Sequence, residues 1–392
     1  MTGLIAHETP PEAPLAARRP RVLFVGATRY DLPLPAGVAR KWDALGDRLA
    51  LRVVARAGSV SAPDDRFHLV DAPGRPRGGA AFYASLARVV AAETKEFQPE
   101  VVVCQSPYEA CSCLLAWRLR RHRPKLIVEL HADWRTATRL YGSRLRQALA
   151  IPGDHAALFA IRRADATRAL SPWTARIAEE ATGRPPVASF PTYFDLESFT
   201  EWPNRPLPER PGVAWIGVLE RYKDPEMLAR AWRVVAQEVP EATLTVVGRG
   251  PLNRVIDGLV REFPGRVRAA PRLEPPQVAE LLDQSTGLVM SSAEGSEGVP
   301  RVIMEAFTRG RPAICTSVGG IPDVVEPNRN GLLVEPGRPD ELARALVRVL
   351  GDRTFAEHLA DGARGSAEAA RWAPGAYAQS VRKMIDRVIA AP

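Results

Sequence analysis

Arg21-Val-Leu-Phe-Val-Gly26 is a short apolar run that closes in glycine. Runs of the same kind recur at Leu51–Val54, Val101–Cys104, Lys125–Leu130 and Thr167–Ser171, with helix-length amphipathic segments between several of them. Runs that are apolar on both faces and alternate with helices predict a parallel sheet buried on both sides. A second series follows the proline-rich segment Pro203–Pro211, at Gly212–Gly217, Thr243–Gly248, Val267–Ala270, Gly287–Ser291 and Arg311–Thr316. The economical reading is an α/β chain of two Rossmann-like, doubly wound parallel-sheet domains, 21–200 and 201–371, facing across a cleft. Residues 1–20 read as a flexible tail, and 372–392 as a helix packing back toward the first domain. Ligands of such sheets sit beyond the carboxyl ends of the strands, so chemistry is sought in the loops leaving them.

Composition narrows the classes. With 392 residues, 46% hydrophobic and 25% charged, the chain is neither fibrous nor wholly disordered. Even the apolar stretch Val101–Trp117 carries Gln105, Ser106, Pro107 and Glu109, so no membrane-spanning helix is expected. The tail lacks the apolar region of a secretory signal, and the expected compartment is the cytoplasm. Four cysteines (Cys104, Cys111, Cys113 and Cys315) are too few for a disulfide framework and lack zinc-ligand partners, so they read as reduced, mostly buried residues. No metal site is expected. The net charge of +8 lies wholly in the first 200 residues, and Arg118–Lys125 concentrates it. That run reads either as the solvated end of a helix or as a patch for an acidic substrate or an anionic membrane surface.

The densest cluster of candidate chemistry is Ser291-Ser-Ala-Glu-Gly-Ser-Glu297-Gly298-Val299-Pro300-Arg301-Val-Ile-Met-Glu305-Ala-Phe307. Gly298 suits an N-cap and Pro300 a position at or near the first helical turn. Val302, Ile303, Ala306 and Phe307 form the buried stripe, which leaves Glu305 off it about 7–8 Å from the helix start. Two carboxylates then bracket a helix N-terminus whose free amides suit a phosphate. A phosphate-linked sugar at one end and a ribose at the other is the outline of a nucleotide sugar. Spacing alone equally allows a helix-start acid and a solvated acid. A dinucleotide fingerprint and a Walker-type loop are both absent from the sequence.

The run from Glu297 to Phe307, followed by Gly310–Thr316, Val318–Asp323 and Asn330–Gly337, resembles the signature of the retaining glycosyltransferases of family four, which have the GT-B fold. Glu297 and Glu305 match the family's E-x7-E spacing. By that resemblance Glu297 would hold hydroxyls of the transferred sugar, Glu305 would bind the nucleotide ribose, and the amides around Gly298, Val299, Pro300 and Arg301 would face the sugar and diphosphate. Trp215-Ile-Gly217-Val-Leu-Glu-Arg221-Tyr-Lys223 resembles the segment in which a glycine precedes a diphosphate-binding arginine and lysine. Gly217 and Lys223 keep the spacing, Val218 stands at the arginine position, and Arg221 is the candidate substitute. Leu126–Trp134 resembles the strand that ends in an active-site histidine, here His131. Gly37 is what remains of a glycine pair on the acceptor side. Glu294 has the wrong distance to Glu305 and reads as a loop acid.

The resemblance implies a hexosyltransferase-type enzyme that moves a sugar from a nucleotide diphosphate sugar to an acceptor with retained configuration and without a metal. The nucleotide sugar is then a co-substrate, and no cofactor is expected. The acceptor stays open as a small molecule, a glycan or a lipid-linked group, with peripheral contact to an anionic membrane allowed and no nucleic acid expected. The other readings are a catalytically inactive nucleotide-sugar-binding relative, or a GT-B-fold epimerase or phosphorylase.

Overall fold

The computed structural model describes residues 18–60, 62–70, 79–136, 150–293, 295, 297–370 and 373–391. Strands β1 (Arg21–Tyr30), β2 (Ala50–Ala57), β3 (Phe67–Leu69), β4 (Val101–Cys104), β5 (Lys125–Leu130), β6 (Ala166–Ala169) and β7 (Ala188–Ser189) form one parallel sheet, in the order β3-β2-β1-β4-β5-β6-β7. Strands β8 (Gly212–Ile216), β9 (Thr243–Val247), β10 (Val267–Ala270), β11 (Gly287–Met290), β12 (Ala313–Thr316) and β13 (Gly331–Val334) form the second, in the order β10-β9-β8-β11-β12-β13. The strand order reverses between β1 and β4 in one sheet and between β8 and β11 in the other. Those two reversals create the crevices where doubly wound sheets receive ligands.

Alternation along each strand explains why both faces are covered. Leu23 and Val25 of β1 enter one core with Val102 and Cys104 of β4, while Val22 and Phe24 enter the opposite core with Val101 and Val103. The second sheet repeats the division, with Val289 and Ile314 on one face and Leu288, Met290, Ala313 and Cys315 on the other. Side chains one apart in a strand point to opposite faces, so a continuous apolar run fills two cores. Strands β3, β7 and β13 close the sheet edges and lie outside the apolar series that marks the others. The first two are half-buried and too short to leave a pattern.

Two buried arginines fix the segment that joins the sheets. Arg309 donates to the carbonyls of Phe199, Trp202 and Pro203 at 2.8–3.1 Å and forms a 2.6 Å pair with Asp283. Arg311, with no exposed surface, donates to the carbonyls of Leu282, Asp283, Arg205 and Pro206 at 2.8–3.1 Å. Burial pulls its guanidinium down to about 10, and Asp283 pulls in the other direction. Truncation would strand these carbonyls in the interior. Arg311→Ala is therefore expected to cost about 3–5 kcal/mol, read as a lower urea midpoint; an unchanged midpoint would show that the segment is held by other contacts.

The carboxy-terminal helix, Pro374–Ala390, buries Tyr377, Ala378, Val381, Met384, Ile385 and Val388 in the first sheet's core beside Val22, Phe24 and Trp42. Lys125, at the start of β5, donates to the carbonyl of Ala391 at 3.1 Å. The chain thus returns to the domain in which it began. Trp372, the expected start of this segment, lies outside the described residues, as do residues 1–17 of the tail.

Cys104 and Cys113 are buried with sulfurs 3.5 Å apart, Cys315 is buried, and all four cysteines are free thiols. Cys111 is half-buried, and burial pushes its thiol up to about 11, so little thiolate is available near neutrality. Arg118, Arg120, Arg121 and His122 are exposed beyond the helix Pro107–Trp117, whereas Arg123 pairs with Asp165 at 2.6 Å.

Candidate functional site

The loops leaving β8 and β11 meet at the second sheet's reversal point. After β8 the chain passes Gly217 and exposed Val218, then forms a short 3-10 turn, Arg221–Lys223. Asp224 ends that turn with φ +43° and accepts the Met227 amide at 2.9 Å, capping the helix Pro225–Glu238. The cap fixes where Lys223 leaves the backbone. From the other loop, the Ser291 hydroxyl donates to the Lys223 carbonyl at 2.8 Å and accepts from the Trp215 indole at 3.3 Å.

Lys223 and Glu297 form the centre of the site. The Lys223 ammonium lies 2.5 Å from Glu297 Oε1, and both side chains are 11% exposed. The Ser292 hydroxyl donates to the same Glu297 oxygen at 2.9 Å, while the Ser292 carbonyl accepts from Thr316 at 2.7 Å. A charged pair this little exposed is stable only because each member has the other and fixed hydrogen bonds. Ser291 and Ser292 carry the positioning, and the sequence reading gave them no role; their place at the end of an apolar strand was the only signal.

One expectation about the following helix needs correction. It runs Arg301–Thr308 with Pro300 as its N-cap, so Pro300 borders the first turn as expected and Gly298 lies before the cap. The solvated alternative for Glu305 does not hold. This residue is 9% exposed and pairs with Arg301 Nε at 2.6 Å, four residues back on the same face. Burial raises the Glu305 carboxyl, and the Arg301 guanidinium lowers it in part. Arg301 was expected to contribute only its amide, yet its side chain also donates to the Asp195 carbonyl at 3.2 Å in the joining segment.

Gly298 has a different use from capping. A Cβ there would lie 2.2 Å from the His131 carbonyl oxygen, so only glycine lets the second domain's loop touch the first domain at the end of β5. Gly319, at φ +59°, stacks on the Glu297 carbonyl, where a Cβ would fall at 1.8 Å. Across the same gap, the Trp173 amide donates to Asp323 at 2.9 Å.

The His131 backbone therefore lies against the loop that carries Glu297. The ring Nε2 lies 3.2 Å from Glu129 Oε2, and the side chain is 43% exposed. Burial would raise the Glu129 carboxyl, but the Arg168 guanidinium, with the His131 hydrogen bond, more than offsets this and holds it well below the usual range. Arg168 is itself buried over the Phe190 ring at 3.9 Å. Glu129 thus remains an anion that can orient His131. Neither Glu129 nor Arg168 was singled out from sequence, since a charged pair inside a core leaves no periodic mark.

Gly37 lies in the helix Ala36–Gly46, and a Cβ on it would fall 1.9 Å from an Asp195 carboxylate oxygen. Asp195 in turn takes two hydrogen bonds from Arg40 at 2.9 Å. Gly37 therefore admits the joining segment to the helix start. Arg221 is exposed, and among the described residues it has no ion-pair partner. Gly217 lies at van der Waals distance from the Lys223 side chain, a Cβ there falling 3.4 Å from Cε. Glu294 lies outside the described residues. Among the described residues, no group of three or more His, Cys, Asp or Glu side chains is placed to hold a metal, and no helix is long and apolar enough to cross a membrane.

Two doubly wound parallel sheets that meet across a cleft, in the orders observed, have the architecture of the GT-B class. Residues 35–190 match the family described as "Glycosyl transferase 4-like domain", and residues 210–352 match "Glycosyl transferases group 1". The chain belongs to the glycosyltransferases of family four.

Among similar curated proteins, the D-inositol 3-phosphate glycosyltransferase of Jonesia denitrificans is 30% identical over 177 residues, 42% of this chain and 41% of that protein. The chain thus spans about two fifths of that relative's length. Among solved structures, sucrose-phosphate synthase from Thermosynechococcus elongatus superposes with a TM-score of 0.73 at 20% identity, covering 95% of this chain and 100% of that one. HepE from Anabaena in complex with UDP-glucose gives 0.67 at 18% identity, covering 93% and 99%.

Proposed function

We propose that this protein transfers a sugar from a nucleotide diphosphate sugar to an acceptor, with retention of anomeric configuration and without a divalent metal. The observation that carries the reading is the nearly buried Lys223–Glu297 pair at the reversal point, next to Gly298 and the start of the helix Arg301–Thr308. In this reading Lys223, Arg221 and the amides near Val299 to Arg301 take up the charge that develops on the departing diphosphate. Glu297 holds sugar hydroxyls, Glu305 the ribose, and His131 faces the sugar from the opposite domain. The bond from the anomeric carbon to the phosphate oxygen breaks, the acceptor oxygen bonds that carbon on the same face, and the leaving phosphate takes the acceptor proton.

The HepE complex makes a uridine diphosphate sugar the first donor to try. Purified protein is incubated with uridine, guanosine and adenosine diphosphate sugars, with and without EDTA. Release of a nucleoside diphosphate insensitive to EDTA is expected; no binding of any donor, or strict metal dependence, would overturn the reading. An inactive binding relative is favoured by Val218, which is 47% exposed where the family carries a cation, and by the single glycine, Gly37, left of the acceptor-side pair. That reading predicts donor binding with no turnover.

Arg301 gives a pH test of the ribose assignment. Burial raises Glu305 and Arg301 opposes this, so Arg301→Gln is expected to raise the Glu305 pKa further. A carboxylate that must be charged to accept ribose hydroxyls then loses donor affinity at a higher pH as the solution is acidified. The acid limb of donor binding should move upward in Arg301→Gln and vanish in Glu305→Gln. An acid limb unchanged in both would exclude Glu305 from the donor site.

A further inference from the structure

A second charged cavity lies at the other end of the first sheet. It has a volume of about 550 Å³ and opens where β5, β6 and β7 begin, against the end of the carboxy-terminal helix. Strand β5 starts there at Lys125 and ends beside His131, so at about 3.3 Å per residue the cavity is roughly 20 Å from the cleft. Among the described residues, five guanidiniums line it, those of Arg123, Arg162, Arg163, Arg184 and Arg387, with the Lys125 side chain, against one side-chain carboxylate, that of Asp165.

Asp165 does not neutralise them. It already accepts from Arg123 at 2.6 Å and from the Leu126 amide at 2.6 Å. Among the described residues, Arg162, Arg163, Arg184 and Arg387 take no part in an ion pair. Three of these four are anchored by one N–H each to a backbone carbonyl: Arg162 to Ala181 at 2.9 Å, Arg184 to Ala164 at 3.3 Å and Arg387 to Val187 at 3.2 Å. A guanidinium has five N–H donors, so each anchored arginine is oriented yet keeps donors to offer.

Like charges gathered in a concavity repel one another and concentrate the field. An anion relieves that repulsion. Planar forks from several directions suit the tetrahedral, multiply charged oxygens of phosphate. A cavity of this volume falls in the range of small-molecule sites and exceeds the needs of one inorganic phosphate.

We propose that this cavity is a binding site for a polyphosphorylated anion, separate from the sugar-transfer cleft. The ligand is either free in solution or the headgroup of a lipid carrying more than one phosphate. The site bridges β5 to β7 and the carboxy-terminal helix, so occupancy ties that helix to the sheet edge.

Tripolyphosphate binding is measured by calorimetry at low ionic strength on the full chain. One site is expected to weaken at least tenfold in Arg162→Gln/Arg163→Gln/Arg184→Gln, whose three positions are exposed and tolerate substitution. That site should persist in Arg221→Gln, which removes an exposed cation of the cleft. It should also persist in Arg230→Gln/Arg261→Gln/Arg272→Gln, which removes equal charge from exposed positions on the second domain. Flotation with phosphatidylcholine vesicles, with and without cardiolipin, separates the sources. Cardiolipin-dependent flotation lost only in the first triple variant assigns the site to a lipid headgroup, and tripolyphosphate binding without flotation assigns it to a free anion. Equal weakening in both triple variants, or binding to neither probe, would overturn the proposal.

Discussion

Lys223→Ala is expected to lower kcat/KM for sugar transfer by about 10²–10³-fold, the usual cost of removing one preorganised donor from developing negative charge. In this fold the loss has two parts. The ammonium lies 2.5 Å from Glu297, so its removal leaves a carboxylate that is 11% exposed with, among the described residues, the Ser292 hydroxyl as its one side-chain donor. An uncompensated buried charge costs about 3–5 kcal/mol of stability. In the proposed reading the diphosphate also loses the cation at the family's lysine position, while Val218 stands at the arginine position. Comparing Lys223→Ala with Lys223→Ala/Glu297→Gln separates the parts. The double variant should recover much of the urea midpoint, because the stranded charge is gone, while activity stays at the level of the single variant. Recovery of both would mean that the pair serves folding alone.

Gly298→Ala is expected to produce the second-largest effect, through the approach of the two domains. A Cβ would lie 2.2 Å from the His131 carbonyl, and a backbone atom cannot rotate aside. The loop and β5 must separate, at a strain of about 1–3 kcal/mol. The donor contacts proposed here lie on the second domain, so donor affinity should stay within about threefold. His131 and the acceptor side would retreat, and misplacement by about an ångström costs about 10²-fold in kcat. Small-angle scattering with donor bound should show a more open molecule than the unsubstituted protein. Unchanged kcat would show that the approach of Gly298 to His131 has no part in closing the cleft.

Much of this was readable before any coordinates. Runs such as Arg21–Gly26 and Val101–Cys104 disclosed the buried strands because a strand apolar at every position has only one setting, between two covered faces. Glu297, Glu305 and Lys223 were identified by their resemblance to the family's motifs, whose spacing they keep. Spacing alone left a solvated Glu305 open as the alternative, since a helical stripe counts apolar neighbours and does not register a guanidinium four residues back that makes burial tolerable. Strands β3 and β7 were missed because edge strands of two or three residues, half-buried, have no alternation to detect. Glu129, Arg168, Asp283 and Arg311 went unread for a related reason: each is a polar residue whose partner is distant in the chain.

The sequence by itself determined that this chain forms two doubly wound sheets and that a pair of glutamates flanks a helix start, because hydrophobic period and residue spacing are local properties carried by neighbouring positions. Only the tertiary structure decided that Lys223 meets Glu297, that Gly298 lies on His131, and that five arginines share one cavity at the far edge of the first sheet. Each of those meetings joins loops from different strands, and their distances follow from strand order and crossover packing, on which no single stretch of chain holds the information.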